Sequence, residues 1–238
     1  MPSAPKWVFD VFDRLLSAKS LSMITTKVDY LSETIKRIQF SGNFKDVHVG
    51  MGSFIDFRVS DTDARRYTIS YVDTTNGLLE LIVHLHGNAP GSCFMDSLGV
   101  GDDVHINPPR AYNYYDSSVE KYVIFGDETS LALVCSFLPV LTQHQHSFQF
   151  YLELDEENHH IPNLLQLKNY AVFSKNGSFS NENWISALPL VQSPEWQQAN
   201  FILTGNAQSV RTFRKVLKGK SKGKIVSHGY WLQGKKGL

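Results

Sequence analysis

From about Ser22 to Pro109 apolar and polar residues alternate in short runs: KRIQF, SFIDFRV, RRYTISYV, LLELIVHLHG and DDVHINP. Successive side chains on a strand point to opposite faces, so each run predicts a half-buried strand. Turn-forming stretches such as TTNG and GVGD separate the runs. Together they predict an antiparallel sheet closed into a β-barrel. After Pro109 the period changes. KYVIF predicts a buried strand, and Gly126 and Asp127 lead from it into an apolar helix, SLALVCSFL. FQFYLEL and YAVFS predict two more strands. NFILTG predicts another, followed by a helix from about Ala207 to Leu217, and KIVSHGYW closes the sheet. Strands alternating with helices predict a parallel sheet. The expected architecture is therefore an antiparallel β-barrel domain over residues 1–118, with a short N-terminal helix, and a parallel-sheet α/β domain over residues 119–238. RAYNYYDSS, residues 110–118, joins them.

Composition narrows the class. Hydrophobic residues make up 42% of the 238 and charged residues 19%, enough for a substantial core. The two cysteines, Cys93 and Cys135, are far apart and form no CxxC, which excludes a zinc-thiolate site and a disulfide framework and points to a reducing compartment. No apolar run approaches the length of a membrane span. The first residues carry an apolar helical stripe with acids mixed in, a poor signal peptide. The expectation is a cytoplasmic protein without a membrane partner.

The net charge of zero hides an asymmetry. Residues 205–238 hold nine Lys or Arg and no Asp or Glu, which leaves fourteen basic and twenty-three acidic residues in 1–204. A solvated helix face with a basic tail accounts for this as well as an anion site does. No RNP, zinc-finger or helix-turn-helix pattern accompanies the charge, so nucleic acid is not the expected partner. For an anionic substrate the candidates are Arg211, Arg214 and Lys215, with Arg211 and Lys215 on one helix face.

One strand is unusual. RRYTISY, Arg65 to Tyr71, carries two arginines, two tyrosines and two hydroxyl residues. RRYT resembles the R-x-Y-[ST] signature of ferredoxin-reductase-like flavoproteins. HGNAPGSCF is similar to the HG..GPAS.W segment of the siderophore-interacting proteins, the ferric-siderophore reductase branch of that superfamily. FGDETSLALV is similar to that family's GDETALPAI, and HGYWLQG to its terminal GYW..G. The four matches occur in family order and span most of the chain.

The resemblance implies a noncovalent FAD. Arg65 offers a planar fork of donors to phosphate oxygens, Tyr67 an aromatic face, and Thr68 a hydroxyl at the flavin N5 edge, where it takes the catalytic position. Strict alternation puts Tyr67 and Thr68 on opposite faces, so their shared contact with one ring comes from the resemblance and not from the pattern. Val83, His84 and His86 belong to the implied flavin environment. Ala89, Pro90, Gly91 and Ser92 form the implied pyrophosphate loop, with Ser92 read as N-cap of a short helix, CFMDSL. His84 and His86 share a strand face, which suits a metal, but no third ligand is apparent and no metal site is expected. His144 and His146, and His159 and His160, fall in polar loops.

Asp127 and Thr129 open the helix after the first α/β strand, where N-capping is the plain reading and the edge of a nicotinamide-nucleotide site is what the resemblance implies. No GxGxxG is present. The chain departs from the family pattern at Ser70, where a basic residue is usual, in the loop at Ala89, Gly91 and Phe94, and at Asn206, where an acid is usual. The expected activity is reduction of Fe(III) in a ferric siderophore or similar chelate, with electrons from NADPH, NADH or a ferredoxin-type donor. The alternatives are a flavin- or ferric-chelate-binding protein without turnover and a nucleic-acid-binding protein that uses the basic segment.

Overall fold

The structure, a computed structural model, describes residues 4–16 and 20–235. The chain divides into two compact units, one up to residue 112 and one from residue 113 on.

The first unit begins with helix α1 (Lys6–Leu16), which buries Phe9 beneath the Arg58 guanidinium, 5.5 Å from the ring centroid. Strands β1 (Leu21–Tyr30), β2 (Ile35–Gly42), β3 (Phe54–Arg58), β4 (Ala64–Asp73) and β5 (Leu78–His84) follow, then helix α2 (Pro90–Ser97) and strand β6 (Asp103–Ile106). The antiparallel sheet runs β3-β4-β5-β2-β1-β6. The β3 end of the sheet bridges to Arg110, four residues past β6, where Phe54 N–H donates to Arg110 O (2.7 Å) and Arg110 N–H to Phe54 O (3.0 Å), so the barrel is nearly closed. The alternation read from the sequence fills the interior: Ile38 and Phe40 from β2, Ile55 and Phe57 from β3, Ile69 from β4, Leu79 and Leu81 from β5 are all buried in one core. Burying each such side chain contributes roughly 2 kcal/mol.

Strand β4 has two partners. Its first half, Ala64–Thr68, pairs with β3, and its second half, from Ile69 on, pairs with β5. The register shifts between Ile69 and Tyr71, a bulge that isolates Ser70. The described pairing of β4 with β5 runs no further than Ile69 opposite Leu81, so the edge of β4 that carries Arg65, Tyr67 and Thr68 turns away from β5. Bulges of this kind bend a strand and re-aim its side chains.

The second unit contains β7 (Lys121–Gly126), α3 (Leu131–Gln143), β8 (Ser147–Leu154), α4 (Ile161–Leu164), β9 (Tyr170–Ser174), α5 (Glu182–Ser186), α6 (Pro189–Gln192), β10 (Asn200–Asn206), α7 (Ala207–Leu217) and β11 (Ile225–Trp231). The sheet is parallel, in the order β11-β10-β7-β8-β9. Phe125, Phe201, Leu203 and Phe213 make its core on one face, with the Phe125 and Phe213 rings edge-on at 5.2 Å. Helix α3 runs through Pro139 to Gln143, past the expected end at Leu138. Pro139 is exposed while Phe137 and Leu141 on either side are fully buried, so packing holds the helix across a proline whose lost hydrogen bond faces water. The short helices α4, α5 and α6 lie in a stretch whose sequence carries no helical period long enough to show them.

Candidate functional site

In the barrel unit the unusual strand and the HGNAPGS segment come together. Helix α2 starts at Pro90, with Ala89 in the N-cap position and no side chain capping it. Proline fits this first position because its missing N–H would have had no helical partner. Ser92 is therefore not the cap expected from the sequence. It lies inside the helix, and its hydroxyl accepts from His86 N–H (2.9 Å) and donates to His86 O (3.2 Å), which ties α2 to the end of β5. The Gly91 backbone presses against β4: a Cβ there would lie 2.7 Å from the Tyr67 hydroxyl and 3.0 Å from Arg65 Cγ. Only glycine permits this approach. The uncapped first turn thus stands over Arg65 and Tyr67 at the edge where β4 has left β5.

The faces of β4 divide as strict alternation requires. Arg65 and Tyr67 pair with Phe57 and Ile55 on the core side, and the Tyr67 ring packs edge-on against Phe57 at 5.8 Å. Burial pushes the Tyr67 phenol well above its ordinary pKa, against a smaller pull from Arg65, so it stays a neutral donor. Arg65 donates to Ala64 O (2.8 Å) and to Asp63 Oδ1 (3.0 Å). Thr68 lies on the other face, opposite Phe54. Next to it Arg66 stacks on the Phe54 ring at 3.9 Å and donates to Tyr112 Oη (2.6 Å) and Asp56 Oδ1 (3.1 Å). Asp56 also pairs with Arg110. A ligand lying along the open edge of β4 is reachable from both faces. Sequence reasoning missed the cluster of Arg66, Arg110, Asp56 and Tyr112, whose members come from three separate stretches.

The remaining expected flavin residues divide. His84 and His86 place their rings side by side, 5.5 Å apart. Val83, expected at the flavin, is 2% exposed and packs in the barrel core, so its side chain is unavailable to a ligand. Ser70, where the resemblance calls for a basic residue, is buried in the bulge and donates to Glu80 O (2.9 Å) and Oε1 (3.2 Å).

In the α/β unit the strand order reverses between β7 and β10, and the crevice at their carboxyl ends is where such sheets bind ligands. Asp127 occupies it. Its Oδ1 accepts from Thr129 N–H (2.9 Å) and the Thr129 hydroxyl (2.5 Å), and its Oδ2 accepts from Asn206 N–H (2.7 Å) and Trp231 Nε1–H (2.7 Å). Two carboxylate oxygens have about four lone-pair sites, so Asp127 has none over for a ligand. The pair expected at the nucleotide edge is spent joining the ends of β7, β10 and β11. Asn206 itself caps α7 by accepting from Gln208 N–H (2.8 Å), a task asparagine performs as well as an acid.

Behind Asp127 lies a charged network that the sequence did not reveal. Glu128 is fully buried and accepts from Asp155 N–H (2.6 Å) and the Lys175 ammonium (2.5 Å). Lys175 also donates to Asp155 Oδ2 (3.1 Å) and sits 5.7 Å from the Trp231 ring centroid. Burial works to lower the Lys175 pKa, but Glu128 and Asp127 outweigh it and hold the ammonium above its ordinary value. Glu153, 3% exposed, accepts one hydrogen bond from the Ser209 hydroxyl (2.9 Å). Burial pushes its carboxyl up to about 7.

The basic trio lies elsewhere. Helix α7 starts at the carboxyl end of β10 and runs back along the sheet, so its last turn, with Arg214 and Lys215, lies at the strands' amino ends. That is the edge opposite the crevice, and Arg211, Arg214 and Lys215 are all exposed. Lys215 pairs with Glu182 (2.5 Å). Cations in a last turn complement the helix dipole.

A nearly closed six-stranded antiparallel barrel followed by a five-stranded parallel sheet with helices defines the ferredoxin-reductase-like class of fold. Within it the chain is similar to a siderophore utilization protein from T. fusca, with a TM-score of 0.74 and 18% identity over 92% of this chain and 95% of that one. It is similar to the siderophore-interacting protein of Acinetobacter baumannii, with a TM-score of 0.71 and 20% identity over 90% and 91% of the two chains. A point mutant of ferredoxin-NADP+ reductase from Plasmodium falciparum gives 0.68 and 13% identity over 89% and 96%. No family model matches the sequence, and no curated protein matches it. The resemblance read from the four motifs thus reappears among the structural neighbours, where it establishes the fold. Among the described residues no helix is long and apolar enough to cross a membrane.

Proposed function

We propose that the chain is an FAD-dependent oxidoreductase that reduces Fe(III) held by a siderophore or similar chelate, with electrons from a reduced nicotinamide nucleotide or a ferredoxin-type protein. One observation carries the reading: the uncapped first turn of α2 stands over Arg65 and Tyr67 at an open strand edge. The residues present fit a flavin pyrophosphate. Gly91 leaves the turn bare of side chain, the N–H groups of Gly91 and Ser92 have no capping side chain, and Arg65 adds a planar cation. Asp63 already holds one nitrogen of that guanidinium, which fixes its orientation and lowers its net charge toward a ligand.

In this reading Arg65 and the α2 turn would hold the phosphates, and the Tyr67 ring and the Thr68 hydroxyl would serve the flavin ring system. A flavin bound there supplies the exchange between a two-electron donor and one-electron acceptors. Iron is substrate and takes no resident ligand set from the protein. On the face that Thr68 shares, Arg66 and Arg110 are the cations nearest to hand, with Asp56 between them, and they favour an anionic chelate.

The test is a visible spectrum of the purified protein, identification of any released flavin, and anaerobic reduction with NADH and NADPH followed by a ferric chelate. FAD release and oxidation of the reduced protein by the chelate are expected. A protein that neither contains nor takes up FAD refutes the proposal. Bound FAD that no ferric chelate reoxidises leaves a flavin carrier and refutes the enzyme.

A further inference from the structure

Lysine 36 occupies a core slot. In β2 it is in phase with Ile38 and Phe40, both fully buried, and it is itself 1% exposed. Alternation calls for an apolar residue there. Instead the Lys36 ammonium donates to three carbonyls at the carboxyl end of α2: Met95 O (2.9 Å), Asp96 O (2.7 Å) and Leu98 O (2.8 Å). An ammonium has three donors, and all three are used. Its fourth neighbour is the Tyr30 ring, 5.2 Å away, whose hydroxyl donates to Asp96 Oδ1 (2.7 Å).

Stability alone does not explain this. A buried charge loses its hydration, and an apolar side chain of similar volume is often the more stable choice at such a place. Helices end on glycine or solvated carbonyls far more cheaply. What the lysine adds is position. It fixes the last turn of α2 to β2, while Ser92 ties the helix to His86 near its start. Helix α2 has eight residues, about 12 Å of rigid rod, so a shift at one end moves the other. The end that moves is the turn whose Gly91 backbone touches Arg65 and Tyr67.

We infer that Lys36 is a positioning residue for the cofactor: by gripping the carboxyl end of α2 it sets the height of the anion-binding turn over Arg65 and Tyr67. This rests on the FAD reading above. Lys36 touches no part of the ligand and acts through the helix. Its positive charge at the negative end of α2 also leaves the helix dipole directed at the phosphates.

The experiment compares wild type with Lys36→Met, which keeps the length and loses every donor. Binding of FAD and of riboflavin, which has the ring and no phosphate, is titrated by flavin fluorescence. The bound FAD pyrophosphate is followed by 31P NMR. Lys36→Met is expected to weaken FAD by about tenfold or more, the loss of one charge-assisted phosphate contact, and to leave riboflavin unchanged. Its 31P resonances move toward those of free FAD. Lys36→Gln, whose amide can serve two of the three carbonyls, falls between, and carries the test if Lys36→Met does not fold. Equal weakening of FAD and riboflavin makes Lys36 a stability residue only and overturns the inference, as does unchanged FAD binding. A wild-type protein that binds neither ligand overturns the FAD reading itself, and this inference with it.

Discussion

Glutamate 153 makes the stability of the α/β unit fall as pH rises. The carboxyl is 3% exposed, has the Ser209 hydroxyl as hydrogen-bond donor, and is pushed up from 4.5 to about 7. Burial is the main cause. The Ser209 bond works against it, and the negative charge of Asp127 works with it. A pKa unit is worth about 1.4 kcal/mol, so ionised Glu153 disfavours the folded state by about 3 kcal/mol. The sign follows from which state holds the proton. Below pH 4.5 Glu153 is protonated folded and unfolded and contributes no pH dependence. Between 4.5 and about 7 only the folded protein keeps the proton, so stability drops with rising pH. Above 7 the whole penalty is present. Glu153→Gln keeps an oxygen for Ser209 and is neutral throughout. Urea unfolding of both proteins from pH 4.5 to 8, followed by Trp fluorescence, gives a difference curve in which the other titrating groups cancel. The variant should match wild type near pH 4.5 and exceed it by about 3 kcal/mol at pH 8. A difference that does not change with pH refutes the reasoning.

Two further outcomes are expected. Arg65→Ala should weaken FAD by about 1.5–3 kcal/mol, whereas Arg66→Ala should act mainly on stability, because Arg66 is stacked on Phe54 on the other face of β4; equal FAD losses by calorimetry would contradict the faces assigned. Gly205→Ala should destabilise the α/β unit by about 3 kcal/mol, since Gly205 has φ +98° and a Cβ there would lie 2.6 Å from Asp127 Cγ; a thermal unfolding midpoint unchanged from wild type would contradict it.

The parts of this molecule that were legible in its sequence are those set by periodicity within one element. Alternation in SFIDFRV and LLELIVHLHG gave the barrel strands, and the helix from Ala207 to Leu217 was read at its observed bounds. Arg211 and Lys215 do share a helix face, but spacing along a helix says nothing about which end of a sheet its last turn reaches. That depends on the direction of β10, which only the assembled sheet supplies. The start of α2 is hard to read because Ser92 has the chemistry of a cap. The better signal is Pro90, which fits the first helical position and is costly further in. The switch of β4 from one partner to another at Ser70 was invisible because register belongs to pairs of strands.

The buried ionisable groups show the limit most clearly. Lys36 and Glu153 stand within strands near their ends, and Glu128 and Lys175 stand just past the ends of β7 and β9, places where a polar residue draws no attention in the sequence. Lys36 is in phase with Ile38 and Phe40, but as the first residue of KRIQF it reads as the polar end of the run, and nothing there announces three carbonyls waiting on a helix some sixty residues later. Glu153 sits at the end of FQFYLEL, where a terminal acid is ordinary. A charge in such a slot is affordable only when partners arrive from elsewhere in the chain. Lys36 obtains carbonyls and Glu128 obtains Lys175, while Glu153 obtains a single hydroxyl and shifts its pKa instead. The physics that hides these groups from a sequence reading is therefore what makes them informative in the structure: Lys36 and Glu128 are explained by the elements they hold, and Glu153 by the proton it keeps.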